Sequence, residues 1–210
     1  MRVAVLTFDG FNEIDSLVAA HIINRVDLPG WRAEITGPSE ILTSMNGVVI
    51  RAQQPLEFAA QADAVIIGSG RKTQEVVEDD ALMARLQLDP RRQWIASQCS
   101  GALVLIRLGL VSGAPVCTDR KTQAWVEAAG YRVLDEPFHA NGRVATAGGC
   151  LASHYLAAWL IWCAAGREAA VDALSYVLPH GEEDEYTRRA LARVEPFVSV
   201  LASATGSSLR

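Results

Sequence analysis

The sequence predicts an α/β fold: a three-layer α/β/α sandwich around a mostly parallel sheet. Two observations carry that expectation. Short, branched apolar runs without alternation, such as residues 3–8 (VAVLTF) and 64–67 (AVII), have the pattern of strands buried on both faces. Segments with helical periodicity separate them, and strands alternating with helices form parallel sheets covered on both sides.

The elements follow in order along the chain. The first strand, 3–8, stops at Asp9-Gly10, and from Asp15 the residues Leu17, Val18, Ile22 and Ile23 recur at helical spacing until Pro29-Gly30. Residues 31–36 make a second strand. Residues 41–52 make a hairpin turned by Asn46-Gly47, a dipeptide suited to positive φ. Strand 64–67 ends at Gly68-Ser69-Gly70, and one helix runs over 73–88 until Asp89-Pro90 closes it. Strand 94–97 leads through Gln98-Cys99-Ser100-Gly101 into a helix over 102–110. Short strands at 115–118 and 132–134 bracket a helix over 122–129 that Gly130 ends. Asn141-Gly142 turns the chain into strand 143–146, Gly148-Gly149 opens an apolar helix over 151–165, and helices over 167–178 and 185–202 follow. The polar tail SATGSSLR is expected to fray. With no internal repeat and no linker, residues 1–178 are expected to form one domain and 179–210 a helical extension.

Composition narrows the function classes. Of 210 residues, half are hydrophobic and a fifth charged, enough to bury a sizeable core and too apolar for a disordered chain. A net charge of -5 without a basic run argues against a nucleic-acid surface. The four cysteines, at 99, 117, 150 and 163, lack the short spacing of a zinc site and are too few for a disulfide framework, so no metal or other cofactor is expected and the thiols read as reduced. Asp9 interrupts the N-terminal apolar run and residues 156–165 form the longest apolar stretch, far below the roughly 20 residues that span a bilayer. A soluble, cytoplasmic protein without membrane or nucleic-acid partners is the expectation.

Chemistry concentrates in QWIASQCSGALVL, residues 93–105. A buried strand ends at Ser97 and a small-residue helix begins just beyond Cys99, so the thiol stands where strand turns sharply into helix, the geometry of a nucleophile elbow. That carboxyl edge is where open α/β sheets bind ligands. A helix N-terminus offers free N–H groups and partial positive charge to a thiolate or an oxyanion. The residues alone leave a second possibility open, a small buried cysteine at a packing point.

Together with SQCSGALVL, the segments VAVLTFDGFNEIDSL, AVIIGSG, VSGAPVCTD and VATAGG occur in an order that resembles the ThiJ/PfpI family of the class I glutamine amidotransferase-like superfamily over residues 1–178. The resemblance is closest to the isocyanide hydratase-like branch, where the cysteine precedes Thr or Ser and then Gly. It implies a flavodoxin-like sheet, Cys99 as nucleophile and Asp15 as the acid beside it, moving protons to and from substrate. Read locally, Asp15 is equally an N-cap for the first helix, and Glu13 is a weaker candidate for the same role. The resemblance further implies an oxyanion hole from the N–H groups of Gly70 and Ser100, with Thr146, Gly148 and Gly149 lining the pocket.

The departures are informative. Peptidase-like members carry His after the nucleophile where this chain has Ser100. Asp119, in Cys117-Thr118-Asp119, stands where many relatives carry a histidine and becomes a substrate-binding candidate. The hydratase-like branch has an acid where Tyr155 appears here. Gly68-Ser69-Gly70-Arg71 replaces a Gly-Gly-Thr-Gly turn, making Arg71 either an anion-binding rim residue or a solvated turn residue. His21, His139, His154 and His180 have no ligand spacing, Cys117, Cys150 and Cys163 read as packing residues, and Trp159 with Trp162 suggests core or a dimer interface.

The resulting expectation is a cysteine-dependent hydratase or hydrolase acting on a small molecule, with isocyanide hydration as its most specific version and a homodimer as its assembly. Glyoxalase or deglycase chemistry is one alternative, and a non-catalytic redox or ligand sensor built on Cys99 another. No attached DNA-binding module is expected after residue 178.

Overall fold

Alternate residues of each central strand point into different cores. In β1 (Arg2–Leu6), Val3 and Val5 join one hydrophobic core while Ala4 and Leu6 join another; β6 (Ala64–Ile67) divides in the same way, Ala64 and Ile66 against Val65 and Ile67. A strand buried on both faces has no polar side to spare, which is why the runs at 3–6 and 64–67 are apolar throughout. The computed structural model that shows this describes residues 1–206, with side chains to 198.

β1 and β6 lie in a seven-stranded sheet with β2 (Arg32–Gly37), β5 (Gln54–Pro55), β7 (Trp94–Gln98), β8 (Phe138–Asn141) and β9 (Val144–Ala147), in the order β5-β2-β1-β6-β7-β9-β8. All neighbours run parallel except β8, which pairs antiparallel with β9 across Asn141-Gly142. The register sets Ile67 beside Ser97 and Ser97 beside Thr146, so the loops leaving β6, β7 and β9 emerge side by side at one sheet edge. The hairpin of β3 (Ile41–Thr43) and β4 (Val49–Arg51) forms as its Asn-Gly signal predicts, as a separate two-stranded sheet.

Helices cover both faces. On one lie α1 (Glu13–Ile23), α6 (Ser153–Ala165), α7 (Arg167–Ser175) and α8 (Glu183–Gly206); on the other lie α2 (Thr73–Glu78), α3 (Asp80–Ala84), α4 (Gly101–Arg107) and α5 (Gln123–Ala128). The anchor of the first layer is Trp159, fully buried and edge-on to Trp94 at 5.5 Å, with the Arg143 guanidinium 4.5 Å over Trp94. Fully burying an Ile or Leu, as at Ile22, Leu156 and Ile161, contributes about 1.5–3 kcal/mol each. α8 docks through buried Ala190, Leu191 and Val194. Among the described residues no helix is long and apolar enough to cross a membrane.

Several sequence expectations are corrected. The helix expected over 73–88 is two short helices, because Asp79 is extended and restarts the chain by accepting the Leu82 N–H at 2.9 Å. The strands expected at 115–118 and 132–134 reduce to one parallel bridge, Val116 to Val133. β5 and β8 were not expected. The first helix starts earlier than Asp15, with Asn12 as its cap. Of the tail expected to fray, residues 207–210 lie outside the described residues.

Candidate active site

The carboxyl ends of β6, β7 and β9, with the first turn of α1, enclose one small cluster. Cys99 follows β7 in the left-handed region at φ 47°, one of two non-glycine residues with positive φ among the described residues. A side chain there costs about 1–2 kcal/mol, and hydrogen bonds fix the backbone on both sides. The Cys99 N–H donates to the Ala147 carbonyl at 2.8 Å, and its carbonyl accepts the Thr118 hydroxyl at 2.9 Å. Gly101, two residues on, lets α4 start hard against β6: a Cβ there would sit 2.7 Å from the Ile67 carbonyl oxygen. Strand end, strained cysteine and small-residue helix start are the elbow expected from residues 93–105.

Asp15 lies in the first turn of α1 and is fully buried. Since Asn12 takes the cap, the carboxyl group is free of the role that local pattern offered it. One oxygen accepts the Ser69 hydroxyl, while the other is buried without a hydrogen-bond partner. Glu13 points elsewhere, bonded to Ser44 and Asn46; the Ser44 hydroxyl is the main cause that holds its pKa below the usual carboxylate range.

A third group joins them. Cys150 follows Gly148-Gly149 at the start of a single 3-10 turn (Cys150–Ala152), in the strand-to-helix connection after β9 as Cys99 is in the one after β7. The Cys99 and Cys150 sulfurs and an Asp15 carboxylate oxygen all lie within 4.8 Å of one another. Each sulfur also faces an amide N–H: Asn12 Nδ2 donates to Cys150 at 3.1 Å, and Gln98 Nε2 stands 3.6 Å from Cys99 while donating to the Gly149 carbonyl at 2.7 Å. Reading Cys150 as a packing residue is therefore corrected. No local signal marks it: Gly148-Gly149 separate it from β9, and its partners Asn12, Asp15 and Cys99 come from other parts of the chain.

The remaining expected residues divide. Gly70 and Ser100 meet: the Gly70 N–H donates to the Ser100 hydroxyl oxygen at 3.3 Å, and that hydroxyl also bonds Thr73 at 2.8 Å. The Ser100 N–H has no backbone acceptor among the described residues and is open at the turn. Gly148 passes so close to the 118 loop that a Cβ would lie 2.3 Å from the Thr118 carbonyl oxygen. Thr146 turns its hydroxyl to the Cys117 N–H at 2.8 Å, holding that loop. Asp119 spends both oxygens on the turn into α5, accepting the N–H groups of Lys121 and Thr122 and the Thr122 hydroxyl. Arg71 is an exposed turn residue donating to the Met45 carbonyl at 3.3 Å.

The model of the DJ-1/PfpI family matches residues 1–161. The chain belongs to the DJ-1/PfpI family. Solved members share its fold at low identity. Schizosaccharomyces pombe DJ-1 has a TM-score of 0.73 at 18% identity, covering 85% of this chain and 100% of that one. A ThiJ/PfpI family protein from Pseudomonas syringae has 0.73 at 18%, covering 96% and 90%, and oxidized Toxoplasma gondii DJ-1 has 0.72 at 20%, covering 85% and 98%. No curated protein matches the sequence.

Within this DJ-1/PfpI fold the electrostatics of Cys99 are distinctive. Burial pushes the thiol well above its ordinary range, and the charges of Asp15, Cys150 and Asp119 add to the shift. Cys150 is raised for the same leading reason, burial, with Asp15 next. Both shifts favour the protonated thiols over the thiolates.

Proposed function

We propose that the protein is a cysteine-dependent hydratase or hydrolase of small, neutral electrophiles, most specifically an isocyanide hydratase. The observation that carries this reading is the strained Cys99 with its sulfur within 4.8 Å of the buried Asp15 carboxylate. A thiol kept protonated reacts when a base removes its proton as the new bond forms, and the nearness of Asp15 to the Cys99 sulfur supports that role for its carboxylate. Cys99 Sγ attacks the terminal isocyanide carbon, Asp15 passes the thiol proton to that carbon, and water then adds to the thioimidate. Collapse expels the thiol, leaving an N-formamide, so isocyanide plus water accounts for every atom. The open Ser100 N–H steadies the charge that develops when water adds. The Asp15 carboxylate beside the Cys99 sulfur favours an uncharged substrate over an anionic one.

The test is turnover of an isocyanide panel, followed as N-formamide. Cys99→Ser is expected to abolish it and Asp15→Asn to lower kcat/KM by about 10²- to 10⁴-fold. A parent protein inactive across the panel, or an Asp15→Asn variant with parental kcat/KM, would overturn the reading.

A further inference from the structure

The hydration reading uses one thiol and one carboxylate and leaves Cys150 without a role. We propose that Cys99, Cys150 and Asp15 form a binding site for a thiophilic divalent cation of the zinc class. Two sulfurs and one oxygen are a borderline-soft donor set, and three protein ligands leave a fourth tetrahedral position for water or a small ligand. Zn–S and Zn–O bonds of about 2.3 and 2.0–2.2 Å put tetrahedral ligand atoms roughly 3.5–3.8 Å apart. The three atoms here already lie within 4.8 Å of one another, so a shift of about 1 Å closes the set.

Three further features point to a cation. Apart from the two thiols beside it, the second Asp15 oxygen is fully buried with no hydrogen-bond partner. Each sulfur is approached by an amide N–H, from Asn12 at 3.1 Å and Gln98 at 3.6 Å, the outer-shell arrangement that supports a metal-bound thiolate. Those amides are themselves oriented, Gln98 by the Gly149 carbonyl and Asn12 by its cap bond to the Ile14 N–H. Access is through Cys150, which is only partly buried and lines a groove of about 1290 Å³ between α1 and the 148–155 segment. Binding M²⁺ replaces the two thiol protons, which leave to solvent, and the bound set of two thiolates, one carboxylate and M²⁺ carries a single negative charge.

The full-length, reduced protein is titrated with Zn²⁺ against a chromophoric chelator, with Co²⁺ as the spectroscopic probe. The expected result is one Zn²⁺ per chain, release of two protons per Zn²⁺ near neutral pH, and a thiolate-to-cobalt charge-transfer band. Cys150→Ser and Asp15→Asn each weaken binding at least tenfold, and Cys163→Ser, remote from the cluster, leaves it unchanged. Should a variant misfold by circular dichroism, protection serves instead: Zn²⁺ slows maleimide modification of Cys150 in the parent chain. Absence of stoichiometric binding, a Cys150→Ser variant within twofold of the parent, or a Cys150 that Zn²⁺ does not protect would overturn the proposal. The readouts are independent of turnover, so failure here leaves isocyanide hydration standing, and an inactive panel leaves the cation site standing.

Discussion

Cys99 pays a conformational penalty that Cys117, the other fully buried cysteine, does not, because only Cys99 has positive φ. Glycine enters the left-handed region freely, whereas any other side chain there costs about 1–2 kcal/mol. Replacing each cysteine by glycine removes a similar apolar volume, so the difference between the two isolates the backbone strain. Cys99→Gly is expected to destabilise the fold by about 1–2 kcal/mol less than Cys117→Gly in urea unfolding. Equal losses would show that the turn holds Cys99 without strain. The elbow could be read from residues 93–105 because it is local: an apolar strand, then small residues. Asp15 was harder, since a carboxylate at a helix start has a local use as a cap, and only the position of Asn12 frees it.

At the level of elements, Asp119 belongs to the turn into α5. Its Oδ1 accepts two backbone N–H groups and its Oδ2 the Thr122 hydroxyl, the work of a capping residue. Asp119→Ala is therefore expected to cost about 0.5–2 kcal/mol of unfolding free energy, with Asp119→Asn recovering most of it. Loss below a few tenths of a kcal/mol would separate Asp119 from the stability of α5. Elements with strong local signals appear where the sequence predicts them: the Asn46-Gly47 hairpin, the AVII strand, the apolar helix α6. Those that depend on distant partners do not. β8 (FHAN) has too little apolar pattern to register and exists because β9 pairs with it. The 115–118 segment has strand composition, but only Val116 finds a bridging partner. The same holds for Cys150, whose significance comes from Asn12, Asp15 and Cys99.

For the whole molecule, buried titratable groups set a window of stability. Burial lowers the pKa of His139 and His154, so as pH falls below about 6.5 the unfolded chain takes up protons that the native state resists, and stability declines. Burial raises Cys99, and raises Cys117 and Cys163 to about 12. Here the unfolded chain loses protons first: stability is intact below the ordinary thiol pKa of about 8.5 and falls as pH climbs toward 12. For the two fully buried thiols, Cys99 and Cys117, the slope is up to about 1.4 kcal/mol per pH unit each. Urea midpoints should show a plateau between about pH 6.5 and 8.5; a midpoint still rising at pH 10 would contradict the assignment of these thiols to the buried interior.

The bond between Asn12 and Cys150 joins residues 138 positions apart in the chain. Contacts of such long range form late, because closing a large loop precedes any reward from it. During synthesis Asp15 emerges early and waits through several βα units before β9 settles beside β7 and brings Cys150 into place. The pocket is thus complete only once β9 has joined the sheet. A chain truncated before β9 would keep Cys99 and the elbow residues without the surroundings that hold them, and a fall in reactivity at that thiol would report that folding has run to completion.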